Sequence, residues 1–161
     1  MNRLVSLYSQ SSDIYLTLFY SKLAIIELCG WVELSMDEIV YKYTNKYLCN
    51  PAHITKIEEI VDRNSGFDYE KNFKKMLISV IGLHGVEKIE SRIDPVILQR
   101  FKSNLGSLRV PRNTAAHTYI SGTTITIDSP AVTLNKLSHI HIGLREFEIK
   151  INKLYKLKIK D

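Results

Sequence analysis

The chain has 161 residues, 45% hydrophobic and 24% charged, with a formal net charge of +5 and an isoelectric point near 9.1. That is enough to bury a core as one domain spanning 1–161, and it is too ordinary a composition for a disordered or collagen-like chain. Its two cysteines, Cys29 and Cys49, form no C-x-x-C pair, which excludes a disulfide framework and a zinc ribbon. No apolar run reaches the length of a membrane span, and the chain does not open on a charged-then-apolar leader, so a cytoplasmic location is expected.

In chain order, Ser11-Ser12-Asp13 offers an N-cap, and Leu16, Phe19, Leu23, Ile26 and Gly30 then recur at helical steps on one face. Ser35-Met36-Asp37-Glu38 reads as a capping box, so the first long helix is expected to end or bend near Trp31 to Leu34. A second helix would carry Ile39, Val40, Tyr43 and Tyr47. Asn50-Pro51 breaks the pattern, and a short helix from about Ala52 to Val61 is followed by a turn at Asn64-Ser65-Gly66. Asp68 caps a helix running to about Ile81, and Gly82 and Gly85 loosen the next connection before a short Val86–Ile93 segment. Asp94-Pro95 is a cap with proline at the first helical position, opening a helix expected to end near Gly106. Val110-Pro111-Arg112 starts or kinks the next one. Ser121 to Asp128 alternates isoleucine with threonine and is expected to be an extended loop or hairpin arm. Ser129-Pro130 caps a last helix whose Leu137, Ile140, Leu144, Phe147, Ile151 and Leu154 form an apolar stripe suited to bundle packing or a dimer seam. The fold class is an all-α bundle with short loops.

The chemistry concentrates in Arg112-Asn113-Thr114-Ala115-Ala116-His117-Thr118-Tyr119. Arginine grips a phosphate with a planar fork of donors. Histidine both takes and gives a proton near neutral pH. On a helix Asn113 and His117 share a face, while Arg112 lies about 140° around and about 7.5 Å along the axis from His117, within reach of a long side chain. The two alanines leave room above the helix.

This R-N-x-x-x-H string, late in a helical chain, resembles the signature of HEPN domains, all-α bundles with an R-x(4–6)-H motif and often a polar residue after the arginine. The order of parts is similar too: an early long helix with Glu27 in its apolar run, middle helices, the motif helix, and a long final helix. The stretch from Arg112 to His117 is similar to the RiboL-PSP-type branch. The fuller form ending in Tyr119 resembles HEPN toxins paired with nucleotidyltransferase antitoxins. The chain departs from the pattern in its Ser121–Asp128 insertion and in lacking a glycine directly after His117. The resemblance implies a metal-independent endoribonuclease with no cofactor, working as a homodimer whose two motif helices build one cleft. His117 would move the protons, Arg112 hold the scissile phosphate, and Asn113 orient the phosphate or the histidine. It implies a toxin-antitoxin, phage-defence or RNA-processing setting, with RNA as substrate and a nucleotidyltransferase-type antitoxin as partner. Tyr119 would then be the acceptor of a transferred nucleotide, against a plain reading as a surface tyrosine. If Glu27 is buried it needs a partner, and Arg112 or His117 would serve.

Two other classes stay open on the residues alone. One is a non-catalytic helical module that binds nucleic acid or a protein. The other is a scaffold assembled through the last helix. His139 and His141 point about 200° apart on a helix and share no metal. His53 and His84 lack ligand partners at useful spacing, Glu58, Glu59 and Asp62 read as the wet side of a short helix, and Trp31 reads as core. The lysines from Lys150 to Lys160 suit either a nucleic acid or a solvated helix end.

Overall fold

A computed structural model of the protein describes residues 1–118 and 126–156. Among the described residues it holds α1 (Asn2–Gln10), α2 (Ile14–Tyr47), α3 (Pro51–Asp62), a π-helical turn (Tyr69–Phe73), α4 (Lys74–Glu90), α5 (Pro95–His117) and α6 (Pro130–Lys156), with no strand. The all-α expectation is therefore met. Most of the expected extended arm lies outside the described residues; Thr126, Ile127 and Asp128 are described and have no regular structure.

The caps act as the sequence indicates. Asp13 accepts from the Tyr15 and Leu16 amides and Asp94 from Val96 and Ile97, and Asn50, read only as a break, adds a cap by accepting from Ala52, each satisfying donors that a helix start leaves without partners. Pro51 and Pro95 occupy first-turn positions where no amide donor is needed. At Ser129 the backbone carbonyl accepts from the Thr133 hydroxyl.

Two expected boundaries are wrong. The chain does not end a helix near Trp31: α2 runs 34 residues without a break. Val32, Met36, Ile39 and Val40 are buried in phase with Ile25 and Leu28, so tertiary packing carries the helix through the Ser35–Glu38 box. Likewise α5 does not stop at Gly106 but continues through Pro111 to His117, because Leu105, Leu108 and Ala115 keep one face in the core. The expected break at Gly82 does occur, with φ 72° and ψ 163°, a conformation glycine adopts at no steric cost. α1 had no counterpart in the sequence reading.

Helices α2, α5 and α6 pack on one another around the core, and Tyr69 and Phe73 on the π-helical turn close it from the side. Tyr69, Phe73, Phe101 and Phe147 form an aromatic box with centroids 5.3–6.4 Å apart, mostly in edge-on or tilted arrangements. Tyr69 is buried yet polar at its tip. Its hydroxyl donates to Glu90 Oε1 at 2.8 Å, which also accepts from Lys102 Nζ at 2.8 Å, tying the turn to α4 and α5. Burial alone would push the Glu90 carboxyl up, but these hydrogen bonds and the Lys102 and Lys74 charges hold it below its ordinary range. The stripe from Ile140 to Leu154 on α6 is buried in this core, so its role is bundle packing rather than a dimer seam.

Asp37 is a misfit of the fold, as is Thr44, whose Oγ1 is also buried without a partner among the described residues. The Asp37 Oδ1 is buried without a hydrogen-bond partner among the described residues, and burial, then the Glu33 and Asp62 charges, push its carboxyl from 3.8 up to about 6. A raised folded-state value favours the protonated form, so this group costs stability above pH 6 and the cost fades as pH falls towards 4. Asp37 is only partly buried, and solvent screening cuts the nominal penalty to roughly 1 kcal/mol. Asp37→Asn is expected to stabilise the protein by that amount at pH 7 and by almost nothing at pH 4. Urea melts at both values check this, and equal gains at both would remove the ionised carboxylate as the cause.

Candidate functional site

The motif sits on the last two turns of α5. Pro111, inside the helix, has no amide to donate to the Ser107 carbonyl, so the ladder is interrupted just before Arg112. The helix ends at His117, where the Thr118 amide still donates to the Thr114 carbonyl at 3.1 Å. Lys22 on α2 donates from Nζ to the Thr118 carbonyl at 2.7 Å. This bond caps the end of α5 with a cation, which suits the helix dipole, and fixes α5 against α2.

The Arg112 side chain is half-buried and its Nη1 donates to Asn113 Oδ1 at 3.3 Å. Asn113 therefore steadies the guanidinium rather than the imidazole, and its Nδ2 has no partner among the described residues. Both residues line a groove of about 590 Å³ between α5, the loop preceding the π-helical turn, and α2. Arg109 and Lys71 join Arg112 on the groove wall, with Glu33 and Asp68 as the acidic counterweight. The loop wall is braced by Asn72, whose Oδ1 accepts from the Asp68 amide at 3.0 Å and whose Nδ2 donates to Asn64 Oδ1 at 2.9 Å. Gly66 makes the turn there with φ 119°. A concave wall with more cations than carboxylates suits a phosphate-bearing ligand.

His117 is exposed at the end of the helix, one turn beyond Asn113, and does not line this groove. It makes no side-chain hydrogen bond or ion pair among the described residues. Glu27 is exposed on α2 and makes no bond to Arg112 or His117; it is not the buried carboxylate partner considered from the sequence. Tyr119 lies outside the described residues.

The Cys29 thiol lies within electrostatic reach of Arg112. Burial first, then the Glu33 charge, push it up to about 12, against the opposing pull of Arg112 and Lys136. A thiol so protonated is not a nucleophile near neutral pH. No group of three histidine, cysteine or carboxylate side chains converges as metal ligands among the described residues. His139 is half-buried and His141 exposed, as opposite faces of a helix require. Trp31, expected in the core, is only half-buried and faces His141 with ring centroids 6.1 Å apart, on a separate groove between α2 and α6. No helix among the described residues is long and apolar enough to cross a membrane.

Arg109, Lys71 and Glu33 were not found from the sequence. Arg109 stands three residues before Arg112 and so lies on a neighbouring part of the same helix face, a spacing that could have marked it. Lys71 and Glu33 arrive from distant parts of the chain with no local signal. No protein-family model, no curated protein and no solved structure matches this chain.

Proposed function

We propose that this protein is a metal-independent endoribonuclease of the HEPN type, working as a homodimer in a toxin-antitoxin, phage-defence or RNA-processing setting. The observation that carries the reading is Arg112 in a groove with more cations than carboxylates, its guanidinium steadied by Asn113, one turn before His117, whose imidazole has no side-chain partner among the described residues.

In the proposed reaction the ribose 2′-oxygen attacks the adjoining phosphorus and the bond to the 5′-oxygen breaks. The 2′-hydroxyl proton passes to His117 Nε2 or Nδ1, and the leaving 5′-oxygen is protonated by an imidazolium. Arg112 donates to the non-bridging phosphate oxygens as charge grows on them. The products are a 2′,3′-cyclic phosphate and a 5′-hydroxyl. The nucleophile belongs to the substrate, so DNA and 2′-O-methyl RNA should resist cleavage. A cytoplasmic location, a nucleotidyltransferase-type antitoxin and Tyr119 as acceptor of its transferred nucleotide belong to the same proposal.

A second reading, a non-catalytic RNA-binding module, is favoured by one observation: within a single chain His117 does not line the groove that holds Arg112. Matched oligonucleotides separate the two. Cleavage of the RNA but not of its 2′-O-methyl counterpart is the expected result. Binding of both without cleavage of either would leave only the module.

A further inference from the structure

The groove that holds Arg112 runs away from His117. Leu105, Gly106 and Arg109 line it on the N-terminal side of Arg112, whereas His117 lies on the C-terminal side. Along the axis of α5, Arg109 stands about 4.5 Å from Arg112 in one direction and His117 about 7.5 Å in the other. Lys71, on the π-helical turn, faces α5 from the other wall. Arg109 and Lys71 are exposed, and neither side chain makes a hydrogen bond or an ion pair among the described residues. Of the two carboxylates on the walls, Asp68 is turned to the Lys71 amide, which it accepts at 2.8 Å, and Glu33 pairs with neither arginine.

We propose that this groove is the subsite for the nucleotide flanking the scissile bond of a single-stranded RNA, with Arg109 and Lys71 gripping the flanking phosphate. The inference rests on the proposed ribonuclease for placing Arg112 on the scissile phosphate. The reacting bond then lies at the mouth, between Arg112 and His117, and the strand continues down the groove past Arg109. An imidazole outside the groove is what this arrangement requires, since the groove holds what flanks the bond and not the bond itself. Two guanidinium forks three residues apart can each hold one of two successive phosphates.

The rest of the groove suits a nucleoside. Leu105 and Phe67 are buried and give it an apolar floor. A Cβ at Gly106 would meet nothing within 4 Å, so a ligand can come up against the α5 backbone there. The loop wall is set before a ligand arrives: besides its bonds to Asp68 and Asn64, Asn72 Nδ2 donates to the Ser65 carbonyl at 3.2 Å. A base reaches the Leu105–Phe67 floor only from an unpaired strand, which commits the subsite to single-stranded RNA.

The test uses a strand that cannot react, a labelled 2′-O-methyl oligouridylate of about ten nucleotides, titrated with the protein between about 50 and 200 mM salt. Arg109→Ala and Lys71→Ala are each expected to weaken binding about tenfold and to lower the slope of log affinity on log salt by about 0.7, the share of one phosphate contact on a single strand. Gly106→Leu fills the groove without changing its charge, so it should weaken binding at an unchanged slope. Arg100 is exposed on the same helix but about 180° around from Arg109, and Arg100→Ala should bind as the wild type does. Wild-type affinity in Arg109→Ala, an equal loss in Arg100→Ala, or no binding by the wild type would each overturn the subsite. Binding that Arg109→Ala weakens, beside unreactive RNA, would remove the ribonuclease and leave the subsite. Cleavage of RNA with the same KM in Arg109→Ala as in the wild type would remove the subsite and leave the ribonuclease.

Discussion

Replacing Gly143 with alanine is expected to lower the stability of the whole bundle by about 2 kcal/mol. Gly143 is buried where α6 crosses α5, and a Cβ built there falls 2.7 Å from the Phe101 Cβ and closer still to its ring. Turning a side chain does not relieve a clash with a Cβ, so one backbone must move. Phe101 is fully buried and its ring stands 5.6 Å from Phe147, 5.9 Å from Tyr69 and 6.3 Å from Phe73, so the ring has nowhere to retreat. Overpacking costs typically about 1–3 kcal/mol, and a clash with both the Cβ and the ring of a boxed-in residue belongs near about 3, of which the roughly 1 kcal/mol that alanine gains over glycine in a helix offsets part. A midpoint lowered by about 4–8 °C is the expected thermal signature. Gly106, also helical, would put its Cβ into open space, so Gly106→Ala should move the midpoint the other way. If the two variants shift it in the same direction, the close crossing of α5 and α6 is not the cause.

Arg112→Ala and His117→Ala are each expected to reduce RNA cleavage by about 10²- to 10³-fold. Each removes a group the proposed reaction needs: the donors to the phosphate in one case, the proton carrier in the other. Arg112→Lys keeps the charge but loses the planar fork, and should recover only a small part of the rate. Asn113→Ala should cost less, about tenfold, because its contact with the guanidinium is one 3.3 Å hydrogen bond between neighbours. His117 is exposed, and a surface substitution of this kind changes stability by no more than about 0.5 kcal/mol. An unchanged melting curve beside a lost rate therefore reports on the chemistry. Losses below threefold in both alanine variants would place the activity elsewhere.

The helical architecture was legible because its signals are local. Asp13, Asp68 and Asp94 cap as their positions suggest, and the α6 stripe is a single clean row. α2 misled because it is apolar nearly all round. Leu16, Phe19, Leu23 and Ile26, like Ile25, Leu28, Val32 and Met36, recur at steps of three and four, and periodicity cannot choose which row faces the core. The Ser35–Glu38 box is a local stop signal that long-range packing overrode, and Pro111 sits inside α5 rather than opening a new helix. Arg112 and Asn113, which share the groove wall, were readable together because one helix holds both, while His117 on the same helix lies outside that groove. Lys71 and Glu33 were not, since only the folded chain brings them to the groove wall. Glu27 was misplaced because one apolar run contains both exposed and buried positions, and the glutamate occupies an exposed one.

The most direct test of the central claim is cleavage of single-stranded RNA by purified protein in excess EDTA, with His117→Ala alongside and the product ends identified. The account predicts fragments ending in 2′,3′-cyclic phosphate and beginning with 5′-hydroxyl from the wild type, and intact RNA from the variant. Equal cleavage by both proteins, or wild-type products carrying 5′-phosphate, would contradict it.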